Sequence, residues 1–243
     1  MKIIKLDATT STNDYLKQLL IGNEVDDLTV VSCRHQTQGR GQRDYLWISE
    51  ADKNLTFSIL KRFNQLEAHK AFALICATSL AIYDVLNQLS IPHLNIKWPN
   101  DIMSGGQKIC GILIENVFQG KFIKYSVVGV GLNVNQTLFS GLPDATSMQL
   151  ASGSHYDLDE LLDQIIYRIK HYLKDTFSDN YDALKRKYKD VLFQCGSKKK
   201  YTTVAGVSFF GVILGVSETG QLIVKNENGD VQQFNFKDIQ YER

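Results

Sequence analysis

Four short segments hold more chemistry than folding asks for. They are Ser11-Thr12-Asn13, the loop Gln36 to Trp47, Lys97-Trp98-Pro99-Asn100-Asp101, and Lys108-Ile109-Cys110-Gly111-Ile112-Leu113-Ile114-Glu115. A fifth, Gly129-Val130-Gly131-Leu132-Asn133-Val134-Asn135, gains meaning only in their company. Within the loop, Gly39-Arg40-Gly41-Gln42-Arg43 sets two arginines among glycines, so backbone can approach a ligand closely while guanidinium groups supply charge-assisted hydrogen bonds. A phosphate suits that combination, although the Gly-Lys-Ser/Thr ending of a Walker loop is absent. Standing alone, such a loop is more often a solvated turn or a nucleic-acid contact. Lys97, Asn100 and Asp101 project a cation, an amide and a carboxylate from a strand end; alone they read as a turn with a surface ion pair worth little in stability. Lys108 begins an almost wholly apolar strand, so its ammonium either reaches water at a sheet edge or points into a pocket. In a pocket it suits a ligand that becomes anionic, at about 1.5–3 kcal/mol for a hydrogen bond to a charged group. Of the two tryptophans, Trp98 reads as core, whereas Trp47, after a polar loop, is as well suited to stacking on a planar ligand such as adenine.

The elements that must position these segments are legible from periodicity. Ile3 to Leu6 is a short apolar run, and Ser11 with Asp14 has the spacing of a capping-box-like start for a helix running to about Leu20. Leu28 to Cys33 is a β-branched run; Arg34 to Trp47 is a long polar loop of the kind that persists in a compact domain when it works; Asn54 to Leu60 alternates as a strand. Apolar residues at helical spacing span Leu66 to Leu89. Leu94 to Trp98, Lys108 to Asn116 and Phe122 to Val134 have the look of an antiparallel meander, and helical patterns recur at Leu158 to Phe177 and Asn180 to Phe193. Beyond Cys195-Gly196, short strands at Tyr201 to Val204, Val207 to Val216, Gln221 to Val224 and Val231 to Phe236 predict a small all-β barrel, too small for a comfortable core of its own. The fold class is α+β, with a mixed or antiparallel sheet and flanking helices, divided into residues 1–194 and 195–243.

Composition narrows the function. The 243 residues carry 27 basic and 26 acidic side chains, a formal charge of +1, so any anion must be bound locally and no global pull toward nucleic acid is encoded. The runs Lys185-Arg186-Lys187 and Lys198-Lys199-Lys200 could be read as a nucleic-acid patch, but the first has the look of a helix's wet face. Cys33, Cys76, Cys110 and Cys195 stand far apart, without metal-ligand spacing, and read as reduced, mostly buried thiols. The first residues are too short an apolar stretch for a signal peptide, no later window approaches the length needed to span a bilayer, and the expected address is the cytoplasm.

Taken in order, the five segments resemble the biotin protein ligases over nearly the whole chain: an opening Ser-Thr-Asn, a Gln followed by Gly-Arg-Gly and a downstream Trp, Lys-Trp-Pro-Asn-Asp, Lys-x-x-Gly-Ile-Leu-x-Glu, and Gly-x-Gly-x-Asn. The resemblance implies a catalytic domain like that of class II synthetases, followed by an SH3-like barrel. It also implies ATP-dependent activation of biotin to biotinyl-5'-AMP and transfer to a lysine of a biotin carboxyl carrier domain. Ser11, Thr12 and Gln36 match residues that hydrogen-bond the ureido end of biotin, which offers one carbonyl acceptor and two N–H donors. Asn13, Arg40, Gly41, Gln42, Lys108 and Gly111 complete the expected biotin side. Arg43, Trp47, Lys97, Asn100, Lys108 and Asn133 fall on the nucleotide side, and Lys108, Arg40, Lys97 and Asp101 carry the catalytic roles. Magnesium is expected with ATP, its protein ligands unassigned.

Two positions depart from the family pattern: Gln42 stands where an arginine is common, and Asp44 where a glycine is usual. Asp44 brings a carboxylate toward an anionic intermediate, so the loop either turns it outward to Arg43 or holds the adenylate less firmly. The rival readings are a lipoate or octanoate ligase, a biotin-responsive repressor, and a biotin-binding module without activity. The first would leave Ser11, Thr12 and Gln36 without a purpose. The second needs a helix-turn-helix for which the first dozen residues leave no space, and the third is favoured only by Asp44. The oligomeric state, monomer or homodimer, is left open by an exposed sheet edge.

Overall fold

The computed structural model describes residues 2–42, 46–175 and 181–242. The first part of the chain runs through β1 (Ile3–Thr9), α1 (Thr12–Leu19), β2 (Val30–Gln36), β3 (Asn54–Glu67), α2 (Phe72–Gln88), β4 (Leu94–Lys97), β5 (Asp101–Ser104), β6 (Gln107–Gln119) and β7 (Phe122–Asn133). Three helices follow, α3 (Met148–Ser152), α4 (Leu158–Asp175) and α5 (Tyr181–Asp190). The chain ends in β8 (Lys198–Thr203), β9 (Ser208–Val216), β10 (Leu222–Asn226), β11 (Val231–Phe234) and β12 (Ile239–Tyr241).

The first sheet has the order β1-β2-β3-β7-β6-β5-β4 and is mixed: β1 pairs with β2 in parallel and every other neighbour is antiparallel. Period-two alternation divides its centre cleanly. Phe57, Ile59, Cys110, Ile112, Val128, Val130 and Leu132 face α2 and α4 and form the main core. On the opposite face the eight-residue α1 covers part of β2, β3 and β7, laying Leu16 against Val31, Leu60 and Val127. The rest of that face is open, and this is where the chemistry-bearing segments gather.

Sequence expectation and structure differ in several places, each for a local reason. The helix foreseen from Leu66 begins at Phe72, because Leu66 and Glu67 still pair with Ile123 and Phe122 beyond a bulge in β3. The stretch Ala68–Gln88 is in fact long and apolar enough to cross a membrane by length and composition, but 67% of it is buried inside the protein, as a core helix must be. No capping box forms at Ser11; its backbone is extended at the N-cap position, its side chain makes no cap bond, and Asp14 is engaged by Lys17 and Arg40 instead. Strand β5, helix α3 and strand β12 are short elements that periodicity did not separate from turns.

The second sheet has the order β11-β10-β9-β8-β12, all antiparallel, with β11 and β12 as its edges. It does not stand apart: Tyr201, Ile213, Leu222, Val224 and Phe234 belong to the same continuous core as α2, α4 and α5. Trp98 Nε1–H donates to the Gly220 carbonyl at 2.8 Å, and Gly220, at φ +88°, lies so close over the Phe72 ring that a Cβ there would meet it. Gly220→Ala therefore combines left-handed strain with overpacking at the joint and is expected to destabilise by about 3 kcal/mol, lowering Tm by roughly 6–12 °C. Calorimetry checks this, and an unchanged Tm would show that the joint yields.

Candidate active site

Alternation along β6 and β7 explains the glycine motifs. Gly129 and Gly131, two residues apart, point to the open face, as does Gly111, which pairs directly with Gly131 across the strands. The result is a strip of sheet without side chains, a floor on which other groups can lie against backbone. Two groups do. The Asn13 amide rests on Gly129 so closely that a Cβ there would strike its oxygen. The Trp47 indole rests on Gly131, where an added Cβ would come within 2.7 Å of Cζ2, and against Gly111, where an added Cβ would lie 3.2 Å from Cζ3.

Around this floor the described residues form two adjoining cavities. The first, about 60 Å³, is lined by Ser11, Thr12, Asn13, Gln36, Arg40, Gly41, Gln42, Trp47, Asn100, Lys108 and Gly111, with parts of β6 and β7. The second, about 300 Å³ and mostly apolar, lies beyond Trp47 and is walled by Leu46, Ile48, Phe139, Leu142, Pro143 and Ala145, with Lys108 and Asn133. Trp47 and Lys108 border both.

Each polar group reaches its place through a traceable local cause. Ser11, Thr12 and Asn13 sit at the start of α1, all buried, and Gln36 at the end of β2 turns back so that its Oε1 accepts from Thr12 N at 2.8 Å. The loop closes on itself: Trp47 N donates to Gly39 O at 2.9 Å and Arg40 bridges Leu46, a fit that excludes a side chain at position 39. Arg40 bonds to the Asp14 carboxylate and lies 3.9 Å from Glu115 Oε1. Lys17 joins the same group, bonded to Glu115 at 2.8 Å and Asp14 at 3.0 Å. Burial opposes its charge, but those two carboxylates outweigh it and raise the Lys17 pKa above its ordinary value.

Lys108 is held by its backbone, donating from N to Asp144 O at 2.6 Å and accepting at O from Thr146 N at 2.9 Å. Its ammonium stands 2.7 Å from Asp101 Oδ1 and 5.8 Å from the Trp47 ring. The Lys108–Asp101 contact is an ion pair without hydrogen-bond alignment, so Asp101 Oδ1 is buried yet makes no hydrogen bond. Asn100 donates to Ile112 O at 2.5 Å, and Asn133 donates to Thr146 O at 2.9 Å while its Oδ1 is buried and unpartnered. Gln42 Oε1 and Trp47 Nε1 are likewise buried without partners.

The motif residues thus converge, with two exceptions among the sequence candidates. Lys97 is not brought to either cavity: the β4–β5 hairpin directs it to the second sheet, its ammonium 4.9 Å from the centre of the Tyr241 ring. Arg43 and Asp44 lie outside the described residues. Sequence reasoning missed the wall from Phe139 to Ala145, an irregular segment with no periodicity to betray it, and Ser58 and Glu115, which alternation alone could have placed on the open face. No cluster of three or more His, Cys, Asp or Glu suited to a metal occurs among the described residues. The four cysteines are free, and burial pushes every thiol up, so none is poised as a nucleophile.

Comparison with known proteins bears on what this geometry serves. The model of the Biotin/lipoate A/B protein ligase family matches residues 6–133, more than half of the chain and all five motif-bearing segments up to Asn133. The chain belongs to that family. A biotin–[acetyl-CoA-carboxylase] ligase of Paracoccus denitrificans is 28% identical, with 92% of this chain and 94% of that protein covered. The bifunctional ligase/repressor BirA of Bacillus spizizenii is 26% identical over 93% of this chain and 70% of its own length. Among solved structures, the biotin protein ligase of Aquifex aeolicus in complex with biotin and ATP superposes with a TM-score of 0.81 at 25% identity, covering 100% of this chain and 99% of that one.

Because Gly131 is what lets the Trp47 indole lie flat on β7, Gly131→Ala is expected to lift it toward solvent and red-shift its emission, with Trp98 unaffected in the core. Fluorescence of the variant against wild type reads this, and a superimposable spectrum would show the indole seated elsewhere.

Proposed function

We propose that this chain is a biotin protein ligase that converts biotin and ATP to biotinyl-5'-AMP and passes the biotinyl group to a lysine of a biotin carboxyl carrier domain. The observation that carries the reading is the meeting of two unlike cavities at one ammonium. A polar pocket of short hydroxyls and an amide suits a cyclic urea, an apolar one beside an indole suits an adenine, and Lys108 stands where carboxylate and phosphate would join. The membership in a family of biotin and lipoate ligases, and relatives named as biotin ligases over most of the chain, support the same reading. Lipoate has no urea for Thr12 and Gln36 to hold.

In the first step a biotin carboxylate oxygen bonds to the α-phosphorus of ATP, the bond to the β-phosphate oxygen breaks, and pyrophosphate leaves with its electrons. Two anions must meet, and neutralising them is the protein's main task. Lys108 leaves its pairing with Asp101 for the incoming anion, and Arg40, held near the mouth by Asp14, closes over it. Trp47 exchanges the glycine floor for the face of adenine, opening the first cavity to the ligand, and Asn133 Oδ1 accepts from the adenine amine. A magnesium ion bound with the triphosphate would offset phosphate charge; it needs few protein ligands, and the Asp101 carboxylate, once released by Lys108, fits that part. In the second step the acceptor amine attacks the acyl carbon, the C–N bond forms, AMP departs with its electron pair, and Asp101 takes the amine's proton. With four free thiols and no disulfide, a reducing compartment such as the cytoplasm fits the chain.

Lys108→Ala is expected to cut biotin-dependent ATP–pyrophosphate exchange at least a hundredfold while leaving the fold intact. Exchange that survives the change would remove Lys108 from this role. Incubation of the wild type with biotin, ATP, magnesium and a carrier domain should add one biotinyl mass to the carrier; protection against unfolding by lipoate rather than biotin would overturn the substrate assignment.

A further inference from the structure

Beneath the first cavity runs a buried hydrogen-bond chain whose polarity is set at its far end. Glu115 is a carboxylate and can only accept, so the Asn13 group 2.7 Å from its Oε2 must be the amide nitrogen. This fixes the Asn13 amide and turns its oxygen toward Ser58 Oγ, 2.6 Å away. The oxygen can only accept, so the single hydroxyl proton of Ser58 is committed to it. Thr12 Oγ1 has two acceptors in reach, Ser58 Oγ at 2.7 Å and Gln36 Oε1 at 3.1 Å; with the Ser58 proton spent on Asn13, the shorter contact takes the Thr12 proton, and either acceptor holds it away from the cavity. Thr12 Oγ1 is thereby left with lone pairs alone facing the cavity. At the other end Gln36 Oε1 is occupied by Thr12 N–H at 2.8 Å, which leaves the Gln36 amide nitrogen free to donate. Gly129 is the enabling residue, since any side chain there would displace the Asn13 oxygen.

We infer that Glu115 and Ser58 are positioning residues that make Thr12 an acceptor toward the cavity, beside a Gln36 amide that the Thr12 backbone N–H already turns donor-outward, and so select the N–H and C=O groups of a cyclic urea over acids that lack them. The inference rests on the biotin reading and adds to it two residues that touch neither substrate. Lys17, bonded to the other oxygen of Glu115 at 2.8 Å, fixes the orientation of that carboxylate. Without the carboxylate the Asn13 amide can turn over and Ser58 is freed to donate to Thr12; the Thr12 proton, displaced from Ser58, is then shared between the longer contact to Gln36 Oε1 at 3.1 Å and the cavity, where it opposes a urea N–H.

The test is titration calorimetry with biotin and, separately, ATP. Glu115→Gln is expected to weaken biotin at least tenfold and to leave ATP affinity and Tm within error. The decisive arm is the exchanged pair: Asn13→Asp together with Glu115→Gln restores an obligate acceptor beside Ser58 at the same net charge, and biotin affinity should recover most of the loss. Biotin affinity unchanged in Glu115→Gln, or a double variant no better than that single one while both keep the wild-type Tm, would overturn the inference. Wild-type protein that binds no biotin would instead bring down the functional reading on which it stands.

Discussion

A stretch of sheet with nothing on it is the constraint from which the site follows. A strand turns alternate residues to opposite faces, so Gly129-Val130-Gly131-Leu132 gives one face two missing side chains and the other two core residues. With Gly111 alongside, backbone itself becomes the base of the cavity, and flat groups can approach to contact distance. A glycine in a strand weakens it by the lost packing and the added chain entropy. Here Val130, Ile112 and Leu132 on the reverse face, packed into the main core, offset that cost.

The electrostatics are arranged in small closed groups. Lys108 answers Asp101, and Arg40 and Lys17 answer Asp14 and Glu115. These carboxylates keep the three cations compensated until anions arrive, and the exchange of partners is cheaper than uncovering a bare charge. A chain with almost no net charge can thereby hold polyanions at one spot. The basic run of β8 is spent in the same way, with Lys198 on Glu227 and Lys200 on Glu242. Hydrogen bonds from Lys200, Thr202 and Ser208 hold Glu242 ionised down to a pKa of about 2, so this cluster keeps its charges across the physiological range.

Much of the site could be read from the sequence because residues that do chemistry were out of place for folding: glycines next to arginines, a lysine opening an apolar strand, short hydroxyls before a helix. The main helices and the long strands announced themselves by period. What stayed hidden was decided by partners distant in the chain. Lys97 looks like a ligand contact until β12 brings Tyr241 beneath it. Ser58 is one small residue in an apolar strand, and only its register opposite Gly129 shows that it meets Asn13 and Thr12. The segment Phe139 to Ala145 forms a cavity wall by irregular backbone, which carries no periodic signal. At Ser11 a capping signal was present, but the side chains that would have capped were drawn to the cavity and to Arg40.

The joint between the two sheets also has a mechanical meaning. Trp98 hangs from the Gly220 carbonyl by its indole, Tyr188 grips the next carbonyl, that of Pro99, at 2.9 Å, and Asp101 begins β5 two residues later. The terminal sheet is therefore an anchor for the stretch that carries the counter-charge of Lys108. A load on that sheet is felt within a few bonds of the Lys108–Asp101 pair, and the last fifty residues serve as its foundation rather than as cargo.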